Sequence, residues 1–121
     1  MALMVRKTVI VAAVGAGQAT QVFRVAKGQR VRAASLQRLT VADGGSTATW
    51  SVGDSGSATR FINAASAAGA SGDLVDGTVY GYLYTAQDTI SVTYTPGGGP
   101  GATAPVCAVT VEVETIWPKN Q

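Results

Sequence analysis

Apolar and polar residues alternate with a period of two along most of this chain. Residues 88–95 show the pattern most clearly, because Ile90, Val92 and Tyr94 fall on one side and threonine or serine falls between them. Residues 107–114 repeat it, with a cysteine and three valines on one side and two glutamates on the other. A period of two predicts β-strands with one face on a core and the other on solvent or a partner.

Five further segments have strand character and are separated by glycine-rich turns: residues 5–14, 20–25, 31–41, 47–52 and 79–85. An Asp-Gly pair at positions 43–44 lies between two of them and predicts a β-hairpin over residues 31–52. Residues 64–77 are rich in alanine and serine and lack strand character, so we expect a short helix or a long loop there. Nowhere do apolar residues recur at helical spacing over three turns.

Seven or eight short strands in a chain of this length predict an all-β fold, an antiparallel two-sheet β-sandwich or jelly roll. The 121 residues suffice for one hydrophobic core, and neither a repeat nor a linker divides them. We therefore expect a single domain over residues 1–121, with residues 1–8 as a candidate N-terminal arm.

Charged residues make up only 13% of the chain, against roughly a quarter in an average domain. A surface with few charges suits packing against other subunits, because little charge has to be desolvated on contact. Residues 1–60 carry eight Lys and Arg against two Asp, whereas residues 61–121 carry one Lys against five acidic residues. This asymmetry favours contacts between subunits of complementary charge. The alternative partner of the basic half is nucleic acid, which we do not expect, because no Lys/Arg run is interleaved with aromatic residues.

The chain has one cysteine and no histidine, so the common metal-ligand sets and a disulfide framework are not expected. Cys107 is interpreted as a small buried hydrophobe. Arg6 and Lys7 precede a short apolar run, a pattern shared by signal peptides and first strands, and we favour the strand. No run of about 18 apolar residues is present, so we expect no membrane-spanning segment.

Residues 53–57, with the sequence GDSGS, imitate the segment around a serine-protease nucleophile. That chemistry needs a base, normally histidine, so the motif is interpreted as a strand that ends in a polar turn. Glu112 and Glu114 lie on one face of a strand, about 6–7 Å apart, and paired acids at this spacing can serve glycoside hydrolysis. We favour a solvated face or pairing with basic groups across a strand. The aspartates all fall at predicted turns, where a carboxylate can cap local backbone, and calcium binding in one such loop stays open.

Tyr80, Tyr82 and Tyr84 fall on one side of the strand predicted over residues 79–85. One interpretation is an aromatic stripe that grips a neighbouring subunit, since tyrosine is enriched in interface cores. The other is a half-buried internal stripe whose hydroxyls reach the rim. The opposite side of the strand, which includes Leu83, is expected to lie on or near the core.

Several segments resemble the head decoration, or cement, proteins of tailed phages: residues 23–28 (FRVAKG) with Val31, 48–54 (ATWSVGD), 60–63 (RFIN) and 82–93 (YLYTAQDTISVT). The resemblance implies a β-sandwich or jelly-roll subunit on the outside of a phage head, which bridges neighbouring major capsid proteins and associates as dimers or trimers. It implies no catalytic residue and no cofactor. It also implies that residues 1–8 can reach onto an adjacent subunit.

The sequence therefore predicts a structural virion protein that stabilises a capsid, with no enzymatic activity, no cofactor and no nucleic-acid or membrane partner. Two alternatives stay open: a tail or head-fibre component, and a secreted module that binds carbohydrate or a receptor through its tyrosines. The candidate interface residues are Val5, Arg6, Lys7, Arg24, Arg30, Arg32, Tyr80, Tyr82 and Tyr84.

Overall fold

The computed structural model describes residues 2–12, 19–40, 47–67, 72–77, 81–95 and 105–116. Over these residues the secondary structure consists of β-strands without a helix, which confirms the predicted all-β class, and no helix capable of crossing a membrane occurs among them. The strands are β1 (Ala2–Ala12), β2 (Ala19–Val25), β3 (Gln29–Thr40), β4 (Thr49–Gly53), β5 (Ile62–Ser66), β6 (Leu74–Asp76), β7 (Tyr82–Leu83), β8 (Asp88–Thr95) and β9 (Val106–Ile116).

The strands form two antiparallel sheets, as predicted for a sandwich. Sheet A has the order β1-β9-β3, and both β6 and β7 pair with the other side of β3. Sheet B has the order β2-β8-β4-β5. The two longest-range pairings of sheet A join β9 to β1 and to β3, so the last described strand lies in the middle of the sheet.

The inner faces of the two sheets share one hydrophobic core. Sheet A contributes the alternate residues of β9 that the sequence predicts, and sheet B contributes Trp50 and the inward residues of β8. Trp50 is 1% exposed and its ring centroid lies 5.1 Å from that of Tyr94 on the neighbouring strand. Burial of each large apolar side chain contributes about 1.5–3 kcal/mol, so this alternation is the main source of the fold's stability.

One arginine lies inside the sandwich and links the two sheets. Arg38 is on the inward side of β3 and is only 9% exposed. Its Nη1 donates to the carbonyl oxygen of Ser66 in sheet B at 3.0 Å, and its Nη2 donates to Oδ2 of Asp73 at 3.1 Å. A buried guanidinium requires such partners, and here they tie β5 of sheet B and the segment before β6 to β3.

The hairpin predicted over residues 31–52 is wrong. β3 pairs with β9, β6 and β7 in sheet A, whereas β4 pairs with β8 and β5 in sheet B. The Asp-Gly positions lie outside the described residues, but the strands on either side belong to different layers. An Asp-Gly signal is local, and here the burial of two separate inner faces determined the partners.

The prediction of a short helix or a long loop crossing between sheets over residues 64–77 is wrong at residues 64–66 and 74–76, which are strand, although the segment does connect sheet B to sheet A. The end of β5 and all of β6 fall in this segment. Both are edge strands with mostly exposed side chains, so they lack the alternation that marks the longer strands. Of the strand predicted over residues 79–85, residues 79 and 80 lie outside the described part of the chain. Within residues 81–85 only the two residues of β7 are strand, since Gly81 has a φ of 77° and the pairing to β3 covers Tyr82 and Leu83.

The candidate N-terminal arm overlaps β1. Residues 2–12 pair with β9 in one unbroken register, from Ala2 opposite Ile116 to Ala12 opposite Val106. Within one copy of the chain, therefore, residues 2–8 belong to sheet A.

Candidate protein interaction surface

Charged side chains cluster on the outer face of sheet A, which is the face turned away from sheet B. On β1, Arg6 donates to Oε1 of Glu112 from Nε at 3.0 Å and from Nη2 at 2.6 Å. On β3, Arg30 and Arg32 bring Nη1 to 3.7 and 3.5 Å from Oε1 of Glu114. Basic strands thus flank the acidic strand β9. The preferred interpretation of the two glutamates, that they meet basic groups across a strand, is confirmed.

These ion pairs are open to solvent. The Arg6 side chain is 70% exposed and the Arg32 side chain 47%. Exposed pairs of this kind contribute about 0–1 kcal/mol, so a partner can rearrange them at little cost. The charge asymmetry along the sequence is partly neutralised within the chain, and the guanidinium groups remain accessible.

The other end of the same outer face has an uncharged row with an exposed aliphatic side chain at each end. Ile10 lies opposite Ala108, Ala108 lies opposite Gln37, and Gln37 lies opposite Leu74, which makes one row across the sheet. Ile10 is 69% exposed and Leu74 is 60% exposed. The outer face of sheet A therefore combines ion pairs at one end with an uncharged row at the other, and exposed aliphatic side chains occur at both ends. Such a mixture is found in protein interfaces.

The predicted tyrosine stripe contributes to a buried polar cluster at one end of the sandwich. This cluster, called the Asp54 cluster below, consists of Asp54, Arg60, Tyr82 and Tyr84. Oδ2 of Asp54 accepts hydrogen bonds from Nε of Arg60 at 2.6 Å and from the Tyr84 hydroxyl at 2.7 Å. Oδ1 accepts from the backbone N–H groups of Gly56 and Ser57, each at 3.0 Å. The predicted polar turn after β4 is confirmed, and its carboxylate is buried.

The ionisation of the cluster follows from these contacts. Burial alone raises the pKa of Asp54, but the hydrogen bonds from Arg60 and Tyr84 outweigh it and hold that pKa below its ordinary value. Burial first, and the hydrogen bond to Asp54 second, raise the pKa of Tyr84 far above its ordinary value. The cluster is thus a carboxylate held by a guanidinium and a neutral phenol.

The rings of the cluster are covered by their own neighbours. The guanidinium carbon of Arg60 lies 4.0 Å from the centroid of the Tyr82 ring, and the Tyr84 ring meets Tyr82 edge-on at 4.9 Å. Tyr84 is 4% exposed. The structure places Tyr84 inside the molecule and leaves Tyr82 half-buried, which supports an internal stripe for these two residues. The Tyr84 hydroxyl, however, binds the buried Asp54 and does not reach the rim. Tyr80 lies outside the described residues.

The side of β7 that was expected to lie on the core is in fact turned outward. Leu83 is opposite Arg30 on the outer face of sheet A and is 44% exposed, whereas Tyr82 is opposite the buried Val31. Alternation correctly predicts which residues share a side of a strand. It does not tell which of two apolar sides faces the core, because both contain residues suited to burial.

The Tyr84 hydroxyl predicts a loss of stability at alkaline pH. Below the ordinary tyrosine pKa of 10.0 the phenol is protonated in both the folded and the unfolded chain. As the pH rises above it, the unfolded chain releases the proton while the folded one retains it, so the free energy of unfolding falls by about 1.4 kcal/mol per pH unit. The buried Cys107, whose pKa is also raised, adds a decline of its own in this range. The slope due to Tyr84 is therefore measured by chemical denaturation between pH 8 and pH 11 as the difference from a variant without the phenol.

Tyr84→Phe is the control, because phenylalanine removes the ionisable group from both states. We expect the variant to lose about 1 kcal/mol at neutral pH and to show a flatter decline at alkaline pH. Equal slopes in the two proteins would contradict the assignment.

The remaining candidate interface residues are divided between two surfaces. Val5 and Lys7 are on the inward side of β1, where the sheets part, and Nζ of Lys7 lies 5.5 Å from the centroid of the Phe23 ring. Arg24 is exposed on β2, opposite Thr89, on the outer face of sheet B. The structure thus brings Arg6, Arg30 and Arg32 together and separates Arg24 from them.

The serine of the protease-like motif and the cysteine are both held in structural roles. Oγ of Ser55, the serine of the protease-like motif, donates to Oδ2 of Asp88 at 3.0 Å. Cys107 is fully buried, as predicted, and burial raises its pKa to about 12. Among the residues that the structure describes, no three His, Cys, Asp or Glu side chains are grouped so as to hold a metal ion.

Two features of the structure described above, the buried Asp54 and the row from Ile10 to Leu74, have no clear signal in the sequence. The burial of Asp54 depends on Tyr84, which lies thirty positions later, and the row from Ile10 to Leu74 depends on the order of strands in sheet A. A local signal exists only for the cluster, since Arg60 follows Asp54 by six residues and carries the opposite charge.

No protein-family model matches the sequence, and no curated protein matches it. Solved structures do match the fold. A chain in the capsid asymmetric unit of cyanophage Pam1 aligns with a TM-score of 0.71 and 20% identity over 95% of this chain and 85% of that one. A chain in the acid-stable capsid of Helicobacter pylori bacteriophage KHP30 aligns with a TM-score of 0.69 and 14% identity over 97% and 100%. A chain in the capsid of Ralstonia phage GP4 aligns with a TM-score of 0.67 and 17% identity over 98% and 86%. This chain thus shares, over nearly its whole length, a fold found in the capsids of three phages.

Proposed function

We propose that this protein is a structural component of a tailed-phage head, bound to the outside of the capsid, where it stabilises the shell by bridging neighbouring major capsid proteins. The observation that supports the proposal most strongly is that at least 95% of the chain aligns with chains of three phage capsid structures. The resemblance of residues 48–54, 60–63 and 82–93 to decoration proteins leads independently to the same class.

The docking surface in this proposal is the outer face of sheet A. It is the face that carries accessible guanidinium groups together with exposed aliphatic side chains. Many weak contacts of this type suffice on a capsid, because each is repeated at symmetry-related positions and bridging two subunits makes binding multivalent. An enzymatic role has little support, since the buried carboxylate in the Asp54 cluster is fully occupied by donors from its own chain.

The carbohydrate-binding alternative requires a free aromatic face. Tyr82 is its best described candidate, but the Arg60 guanidinium already covers that ring. The described tyrosines therefore do not favour carbohydrate binding as a second function.

The proposal is tested by isolating particles from the source of the gene and determining where the protein lies. We expect it in the particle fraction after density-gradient centrifugation, and we expect an electron-microscopy reconstruction to show its density repeated over the icosahedral surface. Density confined to one vertex or to the tail would replace the proposal with the tail or head-fibre alternative. Absence from the particles would overturn both.

Two matched variants test the docking face. Arg32→Glu reverses an exposed charge on the outer face of sheet A, and Arg24→Glu does the same on the outer face of sheet B. In co-sedimentation with particles depleted of the protein, we expect Arg32→Glu to weaken binding about tenfold, as expected for loss of a charged contact and its replacement by a repulsive one, and Arg24→Glu to leave it unchanged. The reverse result would assign docking to sheet B.

A further inference from the structure

The four sheet edges differ in how well they are protected against pairing with another chain. Proteins commonly blunt an exposed edge with bulges, short strands or irregular backbone. β6 and β7 have three and two residues. The β2 pairing has a register shift between Gln21 and Phe23, and β5 has a shifted register and a residue with positive φ, Ala64.

β1 has no bulge, short length or irregular backbone, and its one edge-protecting feature is the inward-pointing charge of Lys7. It pairs with β9 over eleven consecutive residues without a register shift, and none of the described residues pairs with its other edge. Three of the six exposed large hydrophobic residues in the described part of the chain lie on this strand: Met4 at 50%, Val5 at 44% and Ile10 at 69%. Long, regular and apolar edges are templates for strand addition.

The two charges of β1 are occupied within their own chain. Arg6 is bonded to Glu112, and Lys7 lies against the Phe23 ring of the other sheet.

A second copy of β1 fits this edge in one register. When two antiparallel strands are related by a two-fold axis normal to the sheet, residues that point outward face each other and so do residues that point inward. With Lys7 opposite Lys7 of the second copy, Met4 is opposite Ile10 and Val5 is opposite Val9. If the axis is moved to Arg6, Met4 meets Thr8, and if it is moved to Thr8, Ile10 meets Arg6. Only the register centred on Lys7 covers all three exposed hydrophobic residues with apolar partners.

We propose that two copies of this chain pair antiparallel through the free edge of β1, in the register centred on Lys7, and so form one continuous sheet across a two-fold axis. The inference rests on the proposed function in one respect: a decoration protein is expected to self-associate. Because the axis is normal to the sheet, both outer faces of sheet A point to the same side. A dimer of this form can place two copies of the proposed docking face on one surface, which is what bridging requires.

The register has a signature that distinguishes it from a generic ionic contact. Two lysines face each other at its centre, and like charges directly opposite on neighbouring strands are destabilising. Added salt screens that repulsion, so the dimer is expected to tighten as ionic strength rises. Lys7→Thr is expected to lower the dimer Kd about threefold to fivefold.

Analytical ultracentrifugation of the free protein over a range of concentrations and salt tests the proposal. We expect a monomer–dimer equilibrium in which Ile10→Asp raises Kd about tenfold or more, because the substitution buries a charge at two symmetry-related positions. Leu74→Asp is the matched control: it changes a similarly exposed residue at the opposite edge of the same sheet and is expected to leave Kd unchanged. Circular dichroism and thermal unfolding confirm that each variant is folded.

Cysteine cross-linking tests the register even if Ile10→Asp does not fold. The double variant with Met4→Cys and Ile10→Cys is expected to form a disulfide-linked dimer on mild oxidation, while Met4→Cys with Ala12→Cys, which fits the register centred on Thr8, is expected to give only background. Cys107 does not interfere, because it is buried.

A protein that is monomeric at all concentrations overturns the inference, as does a dimer weakened equally by Ile10→Asp and Leu74→Asp or one loosened by Lys7→Thr. These outcomes are separable from the proposed function. A monomer found on capsids removes only the dimer, and a dimer absent from particles removes only the capsid role.

Discussion

Replacing Asp54 by alanine is expected to lower the free energy of unfolding by about 3–5 kcal/mol, the range found when one partner of a buried ion pair is removed. The carboxylate accepts four hydrogen bonds, and its side chain is 1% exposed. Its loss leaves the Tyr84 hydroxyl and two backbone N–H groups without an acceptor and the Arg60 guanidinium without its counter-charge. Urea denaturation at neutral pH measures the change.

Asp76→Ala is the control, because Asp76 is an exposed carboxylate on the edge strand β6 and surface substitutions usually change stability by about 0.5 kcal/mol or less. Acid titration adds a second readout. The lowered pKa of Asp54 means that its contribution is complete above the ordinary value of 3.8 and is lost as the pH falls through the lower folded value. Asp54→Asn, which cannot ionise, is expected to lack that acid-dependent loss. A cost no larger than that of Asp76→Ala would show that the cluster adds nothing to stability.

Replacing Gly53 by alanine is expected to cost about 3 kcal/mol or more, at the upper end of the range for overpacking. A Cβ on Gly53 would lie 2.6 Å from the carbonyl oxygen of Ala58 and closer still to the backbone of Ser57. The loop cannot move aside, because the N–H of Asp54 donates to the Ser57 carbonyl at 2.9 Å and the N–H of Phe61 donates to the Val52 carbonyl at 2.9 Å. Thermal and chemical unfolding measure the effect.

Gly72→Ala separates crowding from backbone strain. Gly72 has a φ of +88°, but no atom lies within 4 Å of the position that an alanine Cβ would take there. Alanine at this position is therefore expected to cost only the strain of the left-handed region, about 1–2 kcal/mol. Equal costs for the two substitutions would mean that the close approach at Gly53 does not determine the stability of the loop.

The parts of the fold that were predictable are the strands with one buried face and enough length to show it. β8 was predicted with its observed bounds, and the buried side of β9 was predicted residue by residue, because both lie inside their sheets and present one face to the core. β5 and β6 were missed for the opposite reason. They lie at sheet edges and are held by backbone pairing and by the bonds of Arg38, neither of which leaves a pattern in the local sequence.

The candidate surface was predictable in its chemistry but not in its arrangement. The sequence indicates that Glu112 and Glu114 meet basic groups across a strand, yet the choice of Arg6, Arg30 and Arg32 follows from the strand order β1-β9-β3. Pairing between segments about a hundred residues apart is decided by the fit of whole sheets. The orientation of the tyrosines has the same origin, since Tyr82 faces inward because its partner on β3 is Val31.

The central place of β9 in sheet A affects the order in which the protein acquires its structure. During synthesis β1 emerges before the other described strands, but the strand on which it docks, β9, emerges after all of them. Until then β1 and β3 lack the neighbour that lies between them, while every strand of sheet B is already available to its partners. Such non-local pairing slows folding, and the apolar side chains of β1 stay exposed to other nascent chains in the meantime. A ribosome-bound chain arrested before β9 should therefore be sensitive to proteolysis in β1 and β3, and protection should appear only when β9 has left the exit tunnel.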